Sequence, residues 1–543
     1  MEINKDDLTS LIEGLSLSAH TKTECPMQER CTELDPDHFE EFKHEHLDTI
    51  LKHYEETNEL RVPCFLRAQY DTIIKQIKVL VESSQNENAC GTSTKSVAEK
   101  LEAAWPYNFF LSSTISNKLA KNEILSISLV EILDKSLGEI ETSAQINFCI
   151  DEVWLMDHYR TAGVSDSPIL LIHGDPEYES TTFPNITAVY VKPEGIGLNH
   201  SKIMLLGYKD GSMRVIISTA NLIQIDWGNN TQGIWISPKL HKIRDDKVLG
   251  TDSPTNFQTD FIHYLSHYQI KELDYWIKRL KHSDCSAINV CLVYSVPGPR
   301  NVDDMSFGHL RLADLLSQHV KNVNEADTVI AQSPSVGMFG PTKNDWAGKE
   351  FLTSASASIE QLINDPSQMH TPLPKFNFVY PTCKNVKESY DGFEDVRMYT
   401  MCKYSMYRKQ KWIQDILCQW KAEKRHRSRC MPHIKTYCRV AGSAFAKEPE
   451  GLRWFLLTSA NMSKNAWGSL PLNPRRTHFQ IGSYELGVLF LPKFIFGTDL
   501  IPLSDSKEGP AFPMPYDLPL VRYGRSDKMF FTDLPTNQLE NGF

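Results

Sequence analysis

Through most of the chain, short apolar runs such as "PILLIH" (168–173) and "RVIIST" (214–219) alternate with amphipathic stretches such as "TDFIHYLSHYQIKELDYWIKRL" (259–280). Brief apolar runs fit buried strands and longer amphipathic stretches fit helices, so the pattern predicts an α/β region of sheets covered by helices. Nearer the N-terminus, Leu47, Ile50, Leu51 and Tyr54 are spaced for one helix face, and Ile73, Ile74, Ile77 and Leu80 for another. Between these regions lies "SQNENACGTSTKSV" (84–97), small and polar, which reads as linker sequence. The expected organisation is a Cys/His-containing segment followed by helices over 1–83, a linker over 84–103, and two half-domains over 104–345 and 346–543.

The halves are inferred from an internal repeat. "LNHSKIMLL" (198–206) and "MPHIKTY" (431–437) each place H-x-K in a strand-like run. Downstream of each lies [ST]-A-N-[LM]-x4-W-G, as "TANLIQIDWG" (219–228) and "SANMSKNAWG" (459–468). On a strand, residues i and i+2 share a face. His200 and Lys202 are therefore expected to face a cleft together, as are His433 and Lys435, with Ile203, Leu205, Ile434 and Thr436 turned the other way. Trp227 and Trp467 are expected in the core.

Composition narrows the class. With 41% hydrophobic residues and no apolar run of membrane-spanning length, the chain reads as soluble and globular. "MEINKDDLTS" lacks the basic start and apolar stretch of a secretory signal, and twelve dispersed cysteines fit free thiols in a reducing compartment. A net charge of −11 gives no global attraction to nucleic acid. A local basic surface would be needed, and Lys403–Arg429, with nine Lys or Arg against Asp415 and Glu423, is either that or a solvated helix face.

Two His, two Lys and two Asn (Asn221 and Asn461) make a donor-rich pocket suited to a phosphoryl group, whose transition-state charge it would stabilise without a metal. One neutral histidine can attack phosphorus while a second, charged one protonates the departing oxygen. Gln232 and Glu485, at matching places in the two halves, are candidates to orient the imidazoles.

This constellation resembles the phospholipase D superfamily, built from paired H-x-K half-domains with the active site between them. Where the common motif has Asp after the Lys, this chain has Gly207 and Val440. Together with "TSAN" and the Gln/Glu pair, the departure is similar to the tyrosyl-DNA phosphodiesterase branch, over segments from "AQINFCID" to "PMPYDLP". The resemblance implies His200 as nucleophile and His433 as general acid. It implies phosphate binding by Lys202, Lys435, Asn221 and Asn461, with Gln232 and Glu485 as the orienting pair. It also implies DNA-backbone contacts at Ser335, Ser459 and Ser463. The expected partner is a single- or double-stranded DNA 3′ end bearing a tyrosyl peptide, hydrolysed by a monomer in the nucleus or also the cytoplasm, with no cofactor for catalysis and no membrane. Ile196 stands where vertebrate members have a base-stacking aromatic. Phe148 and Phe530 are the remaining candidates for an aromatic contact with DNA, with core packing their favoured role. Lipid phosphodiester hydrolysis and a non-enzymatic repair scaffold are the alternatives.

Cys25, Cys31, His38 and His44, with His46 as a substitute for His44, carry the ligand set of a structural Zn²⁺. Their spacing resembles the poly(ADP-ribose)-binding zinc finger, including Lys22 and Phe42. Met27, Gln28, Thr32 and Glu33 replace that family's aromatic-Gly pair and its aromatic-basic pair, which weakens the expectation of polyanion binding.

Overall fold

The computed structural model describes residues 96–543 apart from 177, 179–182, 193–196, 244–250, 322–323, 357–372, 471–477, 508 and 542–543. Before these it describes 23–27, 31, 38–39, 42–50, 72–73, 75–77 and 95. Ile196 lies outside the described residues, as do Lys22, Gln28, Thr32, Glu33, Leu51, Tyr54, Ile74 and Leu80. The chain divides into two compact units, Met1–Lys95 and Ser96–Phe543.

In the smaller unit, Thr23–Glu24 pairs in parallel with Phe42–Lys43, and residues 45–50 are helical with Leu47 and Ile50 buried, as their spacing predicts. Gln76 donates to the Cys31 carbonyl at 3.0 Å, which ties the later helical residues to the Cys/His segment.

The large unit begins earlier than the linker expectation allowed. Val97–Ala104 is a helix started by a Ser96/Glu99 capping box, and Lys100 donates to the Ser126 carbonyl at 2.7 Å. Ser96, at the end of the polar stretch, is the cap of this helix, and residues 84–94 lie outside the described residues.

Two large sheets follow. The first runs Ser126–Ile127, Phe109–Ser112, Gly233–Ile236, Met213–Ser218, Ile203–Tyr208, Ile140–Asn147, Ile169–His173, Ile186–Tyr190. The second runs Val290–Ser295, Ser483–Phe490, Leu452–Thr458, Thr436–Val440, Thr328–Gln332, Lys375–Val379, Leu417–Cys418. Aligning the two H-x-K strands superposes seven strands of each order, leaving Ser126–Ile127 at the edge of the first sheet without a counterpart, and this gives the pseudo-symmetry expected from the repeat. The boundary at 345 does not hold, because Val290–Ser295 and Thr328–Gln332 belong to the second sheet. Each repeat includes strands upstream of its H-x-K, and no local motif marks them.

The first sheet is buried on both faces. Phe109, Leu111, Ile203, Leu205, Val215, Ile217 and Trp235 join a core shared with the second sheet, while Phe110, Met204, Leu206, Ile216, Ile234 and Ile236 pack into a separate core. The alternation follows the strand period. Trp227 and Trp467 are buried as expected. In the Lys403–Arg429 run, Arg427 is wholly buried and Arg425 pairs with Glu123, so that run is only partly a basic surface. Gly487 lies where an added Cβ would sit 2.5 Å from the Leu457 carbonyl oxygen of the neighbouring strand. Gly487→Ala is expected to destabilise the large unit by about 1–3 kcal/mol, read as a lowered unfolding midpoint in denaturant.

Candidate active site

His200 and Lys202 stand just before the strand Ile203–Tyr208 rather than in it, and His433 and Lys435 just before Thr436–Val440. Each lead-in leaves its own sheet to pair with the other half. Leu198–Asn199 pairs in parallel with Ser483–Tyr484, and the His200 N–H donates to the Tyr484 carbonyl at 3.0 Å. Reciprocally, the His433 and Ile434 N–H groups donate to the Thr231 carbonyl at 3.0 and 2.8 Å. Ile203, Leu205, Ile434 and Thr436 are buried, as the alternation predicts.

The crossing decides which side chain orients which ring. His200 Nδ1 lies 3.0 Å from Glu485 Oε2, so Nδ1–H donates to the carboxylate and leaves an Nε2 lone pair. Gln232 Nε2 donates to His433 Nδ1 at 2.9 Å. Both orienting residues thus come from the opposite half. The repeated [ST]-A-N motif braces them: Thr219 donates to Gln232 Oε1 at 2.8 Å, and the Ser459 hydroxyl donates to Glu485 Oε2. Ser459 also accepts from the Leu486 N–H and is wholly buried, so its hydroxyl serves Glu485 rather than facing DNA.

Sequence reasoning missed Asp226. Its Oδ2 lies 3.1 Å from His433 Nδ1, and it accepts the Asn221 N–H. The signal was present, because Asp226 is an acid in a repeat whose other copy has Ala466 there. When Nδ1 carries a proton, Asp226 accepts it; when Nδ1 is bare, Gln232 donates to it. Both states of this ring therefore have a partner.

Lys202 donates to the His200 carbonyl at 2.8 Å, and Lys435 to the His433 carbonyl at 2.6 Å. Burial pushes Lys202 down to about 8 against the opposing pull of Glu485 and Asp226, and burial with Lys202 nearby holds Lys435 well below its ordinary range. Burial also lowers His200, and it lowers His433 to about 4, with Glu485 and Asp226 respectively opposing. Lys435 acts electrostatically on His200, and Lys202 on His433, so the two sets share one pocket.

Asn461 Oδ1 accepts the Ser335 N–H at 3.3 Å, and the Asn221 carbonyl accepts from Trp227 at 2.9 Å. Ser335 is half-buried beside this pocket, and the half-buried Ser463 caps the helix Lys464–Trp467 through its hydroxyl. Phe148 departs from the core-packing expectation. It is half-buried, 5.8 Å from the His200 ring and 5.9 Å from Lys202 Nζ. Phe530 is in the core, stacked on Phe393.

In the smaller unit, Cys25, Cys31, His38 and His44 bring their ligand atoms within 4.8 Å of one another. His38 Nε2 lies 3.5 Å from Cys25 Sγ, 3.3 Å from Cys31 Sγ and 3.2 Å from His44 Nε2. A tetrahedral ion with bonds of about 2.0–2.3 Å separates its ligands by roughly 3.3–3.8 Å, so this donor set fits zinc. His44 fills the place for which His46 was the alternative.

Paired half-domains whose H-x-K lead-ins meet at one pocket define a phospholipase D-like phosphodiesterase fold. The family model described as tyrosyl-DNA phosphodiesterase matches residues 108–524. A Drosophila melanogaster protein named tyrosyl-DNA phosphodiesterase 1 is 38% identical over 94% of this chain and 99% of its own length. A Caenorhabditis elegans probable tyrosyl-DNA phosphodiesterase is 30% identical over 74% of this chain and 84% of its own. The crystal structure of the yeast tyrosyl-DNA phosphodiesterase aligns with a TM-score of 0.58 at 18% identity, covering 78% of this chain and 99% of that one. The chain belongs to the tyrosyl-DNA phosphodiesterase family.

Without substrate, His433 is expected to titrate near 4 by NMR of its ring protons. Asp226→Asn removes a negative charge that favours the imidazolium, so the midpoint should fall further, by about one unit or more.

Proposed function

We propose that this enzyme hydrolyses the phosphodiester joining a DNA 3′ end to a tyrosine side chain, through a covalent phosphohistidine and without a catalytic metal. The observation that carries this reading is the reciprocal pair of oriented imidazoles, His200 backed by Glu485 and His433 by Gln232 and Asp226, in a pocket with two lysines.

His200 Nε2 attacks phosphorus as a neutral base, while His433 Nε2–H gives its proton to the tyrosyl oxygen as the P–O bond breaks. Water then attacks phosphorus, His433 takes its proton, and the P–N bond breaks to leave a 3′-phosphate and free His200. Lys202, Lys435, Asn221 and Asn461 donate to the phosphoryl oxygens, whose charge grows in each transition state. Ser335 and Ser463 contact the DNA backbone, and Phe148 offers an aromatic surface beside the nucleophile. On this reading the protein works as a monomer in the nucleus, where its DNA substrate is, or also in the cytoplasm. A lipid substrate has less support, because the family relation is to tyrosyl-DNA phosphodiesterases.

Full-length protein is expected to convert a 3′-phosphotyrosyl oligonucleotide to its 3′-phosphate in the presence of EDTA. Loss of turnover in chelator, or turnover of phospholipid vesicles in its place, would overturn the assignment. With the same substrate, His200→Ala should lose at least about 10³-fold in rate and form no adduct. With a 3′-(4-nitrophenyl phosphate) oligonucleotide, whose leaving group departs without an acid, His433→Ala should complete the first step and let covalent enzyme–DNA build up on a denaturing gel.

The N-terminal cluster is proposed to hold a structural zinc ion. Metal analysis should find about one zinc per chain, lost in Cys25→Ser. Poly(ADP-ribose) is the partner to test there by filter binding. Met27, 60% exposed, stands where the related fingers carry an aromatic-Gly pair, and weak binding is expected.

A further inference from the structure

His433 has a third neighbour that the mechanism above does not use. The ring of Tyr399 meets the His433 imidazole edge to face, with centroids 5.7 Å apart and planes at 65°. Tyr399 is buried at the end of the helix Gly392–Tyr399, and its hydroxyl donates to Asp391 Oδ2 at 3.2 Å. Asp391 Oδ1 in turn accepts from Asn229 Nδ2 at 3.1 Å, and Asn229 Oδ1 accepts the Ser116 N–H at 2.9 Å. Asn229 lies in the same first-half segment as Asp226 and Gln232. One stretch of the first half therefore braces His433 at Nδ1 directly and on its flank through Asp391 and Tyr399.

We infer that Tyr399 is a positioning residue for the second chemical step, holding the neutral His433 ring where its Nε2 can take a proton from water. The reasoning rests on the phosphohistidine reading. In the first step His433 is an imidazolium, and its Nδ1–H bond to the Asp226 carboxylate is charge-assisted on both sides, which fixes the ring strongly. After the proton leaves, that bond is weaker, yet the ring must keep its direction until water arrives. A face-packed aromatic, itself anchored by a hydroxyl, restrains rotation in either protonation state. The nucleophile needs no such support between steps, because the P–N bond holds it. Its aromatic neighbour, Phe148, has no anchoring hydroxyl.

The test uses full-length protein and a 3′-phosphotyrosyl oligonucleotide in single-turnover and steady-state assays, with adduct and 3′-phosphate product quantified together. Tyr399→Leu is expected to slow adduct hydrolysis by about tenfold to a hundredfold while adduct formation changes much less, so that covalent enzyme–DNA accumulates. Tyr399→Phe keeps the ring and should recover most of the loss. Asp391→Ala should resemble Tyr399→Phe, and the double variant should be no worse than either single one, because both remove the same anchor. Equal slowing of both steps by Tyr399→Leu, or no rescue by Tyr399→Phe, would make the residue merely structural and overturn the inference. So would unchanged partition in a Tyr399→Leu protein that melts like the parent. If the parent protein turns over substrate but His433→Ala accumulates no adduct even from a 3′-(4-nitrophenyl phosphate) oligonucleotide, whose leaving group needs no acid, the phosphohistidine reading fails instead.

Discussion

The constraint on which this molecule depends is the reciprocal crossing of two short backbone segments. The lead-in to each H-x-K pairs with the opposite half, His200 with Tyr484 and His433 with Thr231. Each imidazole is then oriented by a side chain from that same opposite half. Neither half holds a complete set alone, so the docked state is the one in which both rings are aimed. The shared core between the sheets, from Phe109 and Trp235 to Phe455 and Phe490, holds the crossing in place. Burial of that much apolar surface is the dominant favourable term in folding, and here the same term assembles the site.

Symmetry of the backbone is combined with asymmetry of the chemistry. The repeated hydroxyl of [ST]-A-N locks an orienting side chain in both halves, yet one is a carboxylate and the other an amide. Glu485 favours Nδ1–H on His200 and so leaves a lone pair for attack. Gln232 and Asp226 satisfy His433 with and without its Nδ1 proton, which suits a group that gives up a proton and then takes one. The pseudo-symmetric frame thereby surrounds its two histidines differently, through one Gln for Glu exchange and one added acid, Asp226 in place of Ala466.

Much of this was legible because the repeat is local. H-x-K and [ST]-A-N picked out His200, Lys202, Asn221, His433, Lys435 and Asn461 as candidates, and the structure brings the two histidines and two lysines together with Gln232 and Glu485 at the rings. Their cross-pairing was not legible, since it depends on strands that meet only after folding. For the same reason the half boundary fell too late, because Val290–Ser295 and Thr328–Gln332 join the second sheet through non-local ladders. Ser459 was expected at the DNA backbone from the family resemblance, and a serine two residues before an Asn gives no sign that it is buried. Tyr399 carried no pattern at all, and its contact with His433 comes from the tertiary placement of a short helix.

Burial holds the His433 imidazole low, to about 4, and this fits the acid role proposed for it once the pocket's charge is considered. Burial works against every cation here, which is why Lys202 and Lys435 are also lowered. The buried carboxylates Glu485 and Asp226 offset the lysines, and the neutral histidines add nothing. A phosphodiester then brings one more negative charge into a space with little water to screen it, where an added proton is worth far more than in solvent. The cheapest place for that proton is His433, already backed by Asp226, while His200 must stay neutral for its Nε2 to face phosphorus. On the proposed mechanism, the charge of the arriving phosphodiester is what protonates His433, and departure of the phosphate releases that proton.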